Sequence, residues 1–200
     1  MFRPSKKIII WFSVLAAITA VSLFIVYKIS SVKSFVHAQG KIDAPVQIVE
    51  YMDYECPGCA LGGKYLKEMI QKYPEKIRLE VHFYPLNNHR QALLAARYAE
   101  CSSRQNKFWE FHEALIFEQS KWIVLFDVKP AFNSIAQRVG LDFERLNACL
   151  QDRDILTSIL AGKLKGIEKG VHATPTYFVN GKMVVGPDKL KVELEGLLKK

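Results

Sequence analysis

The sequence predicts an α/β domain with a mixed sheet and a helical insertion, preceded by one N-terminal transmembrane helix. Four observations support this prediction. An apolar run occupies residues 8–27. A strand–helix–strand pattern follows over residues 46–84, and Asn180-Gly181 separates two apolar runs near the C-terminus. The segment between these blocks, about residues 88–169, has mainly helical periodicity.

The N-terminal run, IIIWFSVLAAITAVSLFIVY, contains no charged side chain. Twenty helical residues span about 30 Å, the thickness of a bilayer core. Three basic residues precede the run: Arg3, Lys6 and Lys7. Because positive charge favours the cytoplasmic side, residues 1–7 are expected in the cytoplasm and the rest of the chain outside it.

A cleavable signal peptide is the alternative to an anchor. Its apolar region is usually shorter, and the candidate cleavage site after Ala38 lies far downstream of the run. We therefore expect a retained anchor at residues 8–27, a polar tether at 28–42 and a folded domain at 43–200. Cleavage near Ala38 would instead release a soluble periplasmic or secreted protein.

The formal net charge of +8 is concentrated at the N-terminus. The first 41 residues contain six of the 28 basic side chains and no acidic one, which leaves 22 basic against 20 acidic side chains. No positive stripe of the kind that follows nucleic-acid phosphates is visible. Nucleic acid is therefore not among the expected partners.

The remaining elements follow from local patterns. Residues 46–52 (VQIVEYM) and 77–84 (IRLEVHFY) have the β-branched and aromatic content of strands, with a helix predicted between them at 60–72. Asp142 is a plausible N-cap for a helix in the insertion. Asn180 and Gly181 both tolerate positive φ, which predicts a tight hairpin and hence an antiparallel pair.

The motif Cys56-Pro57-Gly58-Cys59 follows the first strand directly and allows three interpretations. A structural zinc site would need a second pair of ligands, and the sequence has no second CxxC or HxxxH motif. A structural disulfide would close a very short loop, which restrains the unfolded chain little. The third interpretation is a redox pair. The spacing of the two cysteines and their position at the start of a helix favour it.

The spacing suits thiol–disulfide chemistry at the start of a helix. Residues i and i+3 lie on one face, close enough to form a disulfide. The free N–H groups of the first turn lower the pKa of the first thiol. Cys56 is then the attacking thiolate and Cys59 the resolving thiol.

Three acidic residues lie near the motif. Glu50 stands in an otherwise apolar strand, and if it is buried it could exchange a proton with Cys59. The alternative is a solvent-facing strand position. We expect Asp53 and Glu55 to be exposed loop acids.

Thr174-Pro175 precedes the hairpin. An X-Pro bond alone is a weak signal, but before a strand in a CxxC protein it predicts a cis proline opposite the cysteines. The residue before that proline would offer backbone groups to an extended peptide.

Together these motifs resemble the DsbA-like thiol–disulfide oxidoreductases of the thioredoxin superfamily. The resemblance rests on EYMDYECPGC at residues 50–59, the helical stretch at 85–115, GLD…CL at 140–150 and TPTYFVNG at 174–181. It covers nearly all of residues 43–200 and implies a thioredoxin fold with an inserted helical domain. It also implies that Cys56 and Cys59 are catalytic, that Glu50 is the buried acid, and that Thr174 and Pro175 contact substrate.

Two further points follow from the resemblance. Strong oxidants of this family have histidine where this chain has Gly58, so Cys56 should be a less stabilised thiolate and the protein a weaker oxidant. Cys101 and Cys149 fall in the insertion, and some relatives have a second, non-catalytic disulfide there. The alternative for this pair is two buried free thiols.

The expected function is oxidation of thiols in exported proteins by dithiol–disulfide exchange at Cys56 and Cys59. No cofactor or metal is required, because the sulfurs carry the electrons. A membrane redox partner of the DsbB or VKOR type would reoxidise the enzyme, which we expect to be a monomer. The alternatives are a reductase or isomerase that uses the same site, and a non-enzymatic peptide-binding domain.

Overall fold

A computed structural model of the 200-residue chain describes residues 11, 15, 17–22 and 36–199. The described residues between 11 and 22 are helical. No helix among the described residues is both long enough and apolar enough to cross a membrane. The predicted cytoplasmic segment and most of the predicted anchor at residues 8–27 lie outside the described residues, and the anchor therefore stays a prediction.

A five-stranded mixed sheet forms the centre of residues 36–199. Its strands in chain order are β1 (His37–Gln39), β2 (Val46–Met52), β3 (Ile77–Phe83), β4 (Thr176–Val179) and β5 (Lys182–Val185). Their spatial order is β1-β3-β2-β4-β5. β2 is parallel to β3, whereas β1–β3, β2–β4 and β4–β5 are antiparallel pairs. The prediction of a mixed sheet is confirmed.

Eight helices surround the sheet in the part of the chain from residue 36 to 199. They are α1 (Pro57–Lys72), α2 (Ala92–Ser103), α3 (Phe108–Phe117), α4 (Gln119–Trp122), α5 (Lys129–Arg138), α6 (Phe143–Gln151), α7 (Arg153–Glu168) and α8 (Pro187–Leu198). Helix α1 connects the parallel strands β2 and β3. Helices α2 to α7 form the insertion between β3 and β4.

Local signals determine where several elements begin and end. The Asp142 carboxylate accepts a hydrogen bond of 2.8 Å from the Arg145 backbone N–H and caps α6. Asn180 and Gly181 have φ values of 48° and 84° and form the two-residue loop between β4 and β5. Because few residues other than asparagine and glycine adopt positive φ, this pair specifies the hairpin.

The predicted tether at residues 28–42 is wrong for residues 37–39. These residues form the edge strand β1, in which His37 pairs with Val81. His37 Nε2 lies 2.8 Å from Glu100 Oε2, and the Glu100 side chain is only 1% exposed. A buried carboxylate needs a polar partner, and the edge of β3 needs a hydrogen-bonding neighbour. Residues 37–39 meet both requirements and are therefore part of the folded domain.

Two glycines explain how closely α1 packs on its neighbours. A Cβ on Gly62 would lie 1.9 Å from the Tyr177 hydroxyl oxygen, and a Cβ on Gly63 would lie 2.6 Å from Ile116 Cδ1. Any side chain at these positions would push α1 away from β4 or α3. The Gly62-Gly63 pair therefore places the N-terminal half of α1 against the sheet.

A disulfide joins α2 to α6 within the insertion. The Sγ atoms of Cys101 and Cys149 are 2.05 Å apart, and the two residues are separated by 48 positions in the chain. A loop of that length loses about 4 kcal/mol of unfolded-state entropy when it is closed, in the chain-entropy model. The bond therefore stabilises the insertion.

Candidate active site

The two thiols of the CPGC motif lie at the N-terminus of α1. Cys56 is the N-cap residue, with extended backbone angles (φ −75°, ψ 121°), and Pro57 is the first helical residue. The Cys56 carbonyl oxygen accepts hydrogen bonds from the backbone N–H groups of Cys59 (3.0 Å) and Ala60 (3.2 Å). Proline is tolerated here because the first turn needs no donor at that position.

Exposure distinguishes the two cysteines. Both are free thiols; Cys56 is 9% exposed and Cys59 is fully buried. The Cys56 thiol donates to the Thr174 carbonyl oxygen over 3.3 Å. The Cys59 sulfur accepts from the Asp53 backbone N–H, also over 3.3 Å. Only Cys56 can therefore meet a thiol from outside without rearrangement of the helix.

The environment lowers the pKa of Cys56 from the ordinary value of 9.0 to about 5. The largest cause is a hydrogen bond from the Cys59 thiol to the Cys56 sulfur. The Thr174 side chain and hydrogen bonds from the backbone N–H groups of Cys59 and Gly58 act in the same direction, against the effect of burial. Cys56 is therefore a thiolate at neutral pH.

The pKa of Cys59 is shifted in the opposite direction, well above its ordinary value. Burial is the largest cause, and the hydrogen bond that Cys59 gives to Cys56 adds to it. The negative charge of Cys56, and that of Glu50 when it is ionised, also favour the neutral thiol. The pair thus consists of one thiolate that attacks or leaves easily and one thiol that keeps its proton.

Iodoacetamide should alkylate Cys56 of the reduced protein at a rate that follows its thiolate fraction. Because the pKa of Cys56 is about 5, the rate should rise through a midpoint near that pH and be constant above about pH 7. Cys59 should stay unmodified while the protein is folded. Mass spectrometry of the alkylated peptides over a pH series measures both. A midpoint near the ordinary cysteine value of 9.0 would contradict an activated Cys56.

Glu50 lies in the middle of β2 and is 1% exposed. It pairs across the sheet with Tyr177 of β4, so the two side chains share one face. The pKa of Glu50 is raised to about 8, chiefly by burial; the Tyr177 hydroxyl lowers it and the Cys56 charge raises it. Neither carboxyl oxygen has a hydrogen-bond partner of regular geometry among the described residues. Burial therefore dominates, and Glu50 is mainly protonated at neutral pH.

The expectation that Asp53 is an exposed acid is wrong. Asp53 is 2% exposed, and its carboxylate accepts three hydrogen bonds: from the backbone N–H groups of Glu55 and Leu86, both at 2.7 Å, and from His89 Nδ1 at 2.8 Å. Burial raises the pKa of Asp53, and these three donors oppose the shift. Asp53 thus holds the turn that presents Cys56.

Glu55 is also not a free surface acid. It is half-buried, and its carboxylate accepts a hydrogen bond of 2.5 Å from the Gln91 backbone N–H at the start of α2. The turn before Cys56 is therefore tied to the insertion.

Thr174 and Pro175 lie beside the thiols and are joined by a cis peptide bond. A Cβ on Gly58 would lie 3.1 Å from Pro175 Cδ and 3.7 Å from the Cys56 sulfur. A larger side chain at position 58 would thus contact both groups. The absence of a histidine there removes one possible contact to Cys56, yet the pKa of Cys56 is still about 5.

A family model described as thioredoxin matches residues 33–200. The chain belongs to the thioredoxin family.

Solved structures place this thioredoxin-family protein among the DsbA-like members. α-DsbA1 from Wolbachia pipientis is 24% identical, with a TM-score of 0.71 over 82% of this chain and 89% of that one. BdbD from Bacillus subtilis, in its oxidised form, is 27% identical, with a TM-score of 0.66 over 82% of this chain and 92% of that one. The fold is that of a DsbA-like protein of the thioredoxin superfamily.

Curated relatives are much longer than this chain. The Na(+)/H(+) antiporter NhaA 3 from Salinispora tropica is 34% identical over 153 residues, which are 76% of this chain and 22% of the antiporter. The chain therefore spans about a fifth of the length of that relative.

The structure brings together five of the residues that the sequence singles out: Glu50, Cys56, Cys59, Thr174 and Pro175. The Cys101–Cys149 bond belongs to the insertion. Among residues 36–199, no group of three or more histidine, cysteine, aspartate or glutamate side chains is placed to hold a metal ion.

Sequence reasoning placed Asp53 at the surface and missed Gln119. Asp53 has a recognisable signal, because an aspartate two residues before Glu55 can accept from that backbone N–H in an Asx turn. Gln119 donates to the backbone at Tyr54 and Cys56. No sequence pattern connects Gln119 with a motif more than 60 residues away.

Proposed function

We propose that this thioredoxin-family protein is an extracytoplasmic thiol–disulfide oxidoreductase that introduces disulfides into exported proteins. The observation that supports this function best is the difference between its two thiols, one reachable with a pKa of about 5 and one buried with a raised pKa. A stabilised Cys56 thiolate makes the reduced enzyme the more stable form. The oxidised enzyme is then a good oxidant.

The reaction begins with the Cys56–Cys59 disulfide. A substrate thiolate attacks the Cys56 sulfur, the Cys56–Cys59 bond breaks, and Cys59 leaves with the electron pair. A second substrate thiolate then attacks the substrate sulfur of the mixed disulfide. Cys56 leaves as a thiolate, the substrate gains one disulfide, and the enzyme has taken up two electrons.

Glu50 supplies a proton in the first step. Cys59 leaves as a thiolate in a buried environment that favours its neutral form. Glu50 is mainly protonated at neutral pH. Its ionised form raises the pKa of Cys59, so the two groups interact directly. Proton transfer from Glu50 to Cys59 therefore removes a costly buried charge.

Thr174 and Pro175 bind the substrate beside Cys56. The Thr174 carbonyl oxygen faces the Cys56 sulfur over 3.3 Å. A substrate cysteine bonded to that sulfur comes to lie against the same loop, where an extended peptide can pair with backbone groups.

The reduced enzyme requires an electron acceptor. A membrane protein of the DsbB or VKOR type, linked to a quinone, reoxidises Cys56 and Cys59 to the disulfide. An anchor at residues 8–27 keeps the domain near such a partner on the outer side of the cytoplasmic membrane. Cleavage after Ala38 would divide strand β1, which supports retention of the anchor over release.

A trapping experiment tests this function. The full-length Cys59→Ala variant should accumulate mixed disulfides through Cys56, because the Cys56 thiolate can attack a substrate disulfide and the Cys59 thiol that would resolve the resulting bond is gone. Non-reducing electrophoresis of cell extracts should reveal exported cysteine-containing proteins linked to the variant. The Cys56→Ser/Cys59→Ala variant is the matched control and should trap nothing. Equal capture by both variants would indicate non-covalent peptide binding instead of exchange.

The specific alternative to oxidation of substrate thiols is reduction of substrate disulfides at the same site. Gly58 in place of a histidine favours a weaker oxidant, which would suit a reductase. Equilibration of the wild-type protein with glutathione measures the reduction potential of the Cys56–Cys59 pair and distinguishes an oxidase from a reductase. A potential near that of thioredoxin, about −270 mV, would favour reduction of substrates.

A further inference from the structure

The helical insertion reaches the active site through one buried amide. Gln119 begins the short helix α4 and is 7% exposed. Its Nε2 atom lies 2.7 Å from the Tyr54 carbonyl oxygen and 2.9 Å from the Cys56 carbonyl oxygen. An amide nitrogen has two hydrogens, so each carbonyl receives one.

Helix α4 is held firmly enough to act as a support. Trp122, at its other end, is 1% exposed and donates its Nε1–H to the Leu115 carbonyl oxygen over 2.9 Å. Its ring also packs edge-on against Phe132 of α5, with ring centroids 5.2 Å apart. The Gln119 amide therefore projects from an anchored element.

The two carbonyls that Gln119 contacts flank Glu55, in the turn that connects β2 to α1. Their peptide planes determine where the Cys56 side chain points. In the observed orientation, the Cys56 sulfur lies at the N-terminus of α1, where the backbone N–H groups of Gly58 and Cys59 donate to it and stabilise a thiolate. Rotation of either peptide plane would move the sulfur away from these donors.

We propose that Gln119 is a positioning residue for Cys56: its amide holds the carbonyls of Tyr54 and Cys56 and so keeps the sulfur over the N-terminus of α1. This inference rests on the proposed function, because it concerns the same sulfur. It gives the insertion a role in thiol chemistry.

The Gln119→Met variant tests the proposal, because methionine has a similar length and volume but no N–H donor. Gln105→Met is the matched control. The Gln105 amide also lies in the insertion and donates to a backbone carbonyl, that of Asp142, over 3.2 Å. The readouts are the Cys56 pKa, from thiolate absorbance at 240 nm during an acid titration, and the equilibrium constant against glutathione.

In Gln119→Met we expect a higher Cys56 pKa and an equilibrium constant shifted about fivefold towards the oxidised protein, as expected from the loss of one or two hydrogen bonds. In Gln105→Met both quantities should equal those of the wild type, even if the melting temperature falls. The proposal is overturned if Gln119→Met melts at a lower temperature but keeps the wild-type pKa and equilibrium constant. A wild-type protein without any exchange activity would overturn the proposed function itself, which is a separate result.

Discussion

Replacing Cys56 by serine should abolish thiol–disulfide exchange while the protein stays folded. A serine hydroxyl is not ionised at neutral pH and forms no disulfide, so the mixed disulfide cannot arise. We expect the reduction of insulin and the oxidation of a dithiol peptide to fall by at least about 10³-fold, to the uncatalysed rate. Insulin turbidity and peptide fluorescence measure the two reactions.

The Cys101→Ala/Cys149→Ala variant is the matched control, because it also removes cysteines. Its melting temperature should fall, since a loop across 48 positions is no longer closed. At a temperature at which circular dichroism shows both proteins folded, its exchange activity should persist. Loss of activity in this control, or full activity in Cys56→Ser, would place the reaction elsewhere in the chain.

Replacing Glu50 by glutamine should change how the stability of the reduced protein depends on pH. The pKa of Glu50 is about 8 in the folded state against an ordinary value of 4.5. Between these values the folded state holds a proton that the unfolded state has released, so the free energy of unfolding falls as pH rises. Glutamine has no such proton. The variant should therefore gain about 4 kcal/mol relative to the wild type between about pH 5 and pH 9.

Urea unfolding under reducing conditions at several pH values measures this difference. Cys56 also titrates, but its contribution appears in both proteins and largely cancels. The matched control is Glu168→Gln, since Glu168 is an exposed carboxylate at the end of α7. It also removes one carboxylate, but from the surface, and so separates the effect of burial from that of losing a negative charge. A constant stability difference between Glu50→Gln and the wild type over this range would mean that the Glu50 carboxyl titrates as an ordinary surface group.

Much of the fold could be predicted because it depends on short-range patterns. Strand β2 has the bounds that its β-branched run indicates, and the hairpin forms at Asn180 and Gly181 because both tolerate positive φ. The spacing of Cys56 and Cys59 places both at the start of one helix for the same kind of reason. The edge strand β1 could not be predicted, because its three residues are polar or small and acquire strand geometry only by pairing with β3.

The candidate site depends on contacts between distant segments, and these were harder to predict. The sequence left open whether Glu50 is buried or faces solvent, and only its position between β3 and β4 decides this. Asp53 has the sequence context of a loop acid, and only the tertiary structure brings Leu86 and His89 close enough to donate to it. Gln119 carries no signal at all, because its two acceptors are backbone carbonyls.

The sequence by itself determined the chemistry of this protein: two thiols one helical turn apart, a proline before the last hairpin, and a carboxyl group in an apolar strand. The tertiary structure alone decided how these groups behave. It left the Cys56 thiol reachable and buried the Cys59 thiol. It also buried Glu50 and placed the Gln119 amide within hydrogen-bond distance of the turn before Cys56. The physical reason is that ionisation depends on solvent exclusion and on nearby donors, and segments far apart in the chain supply both.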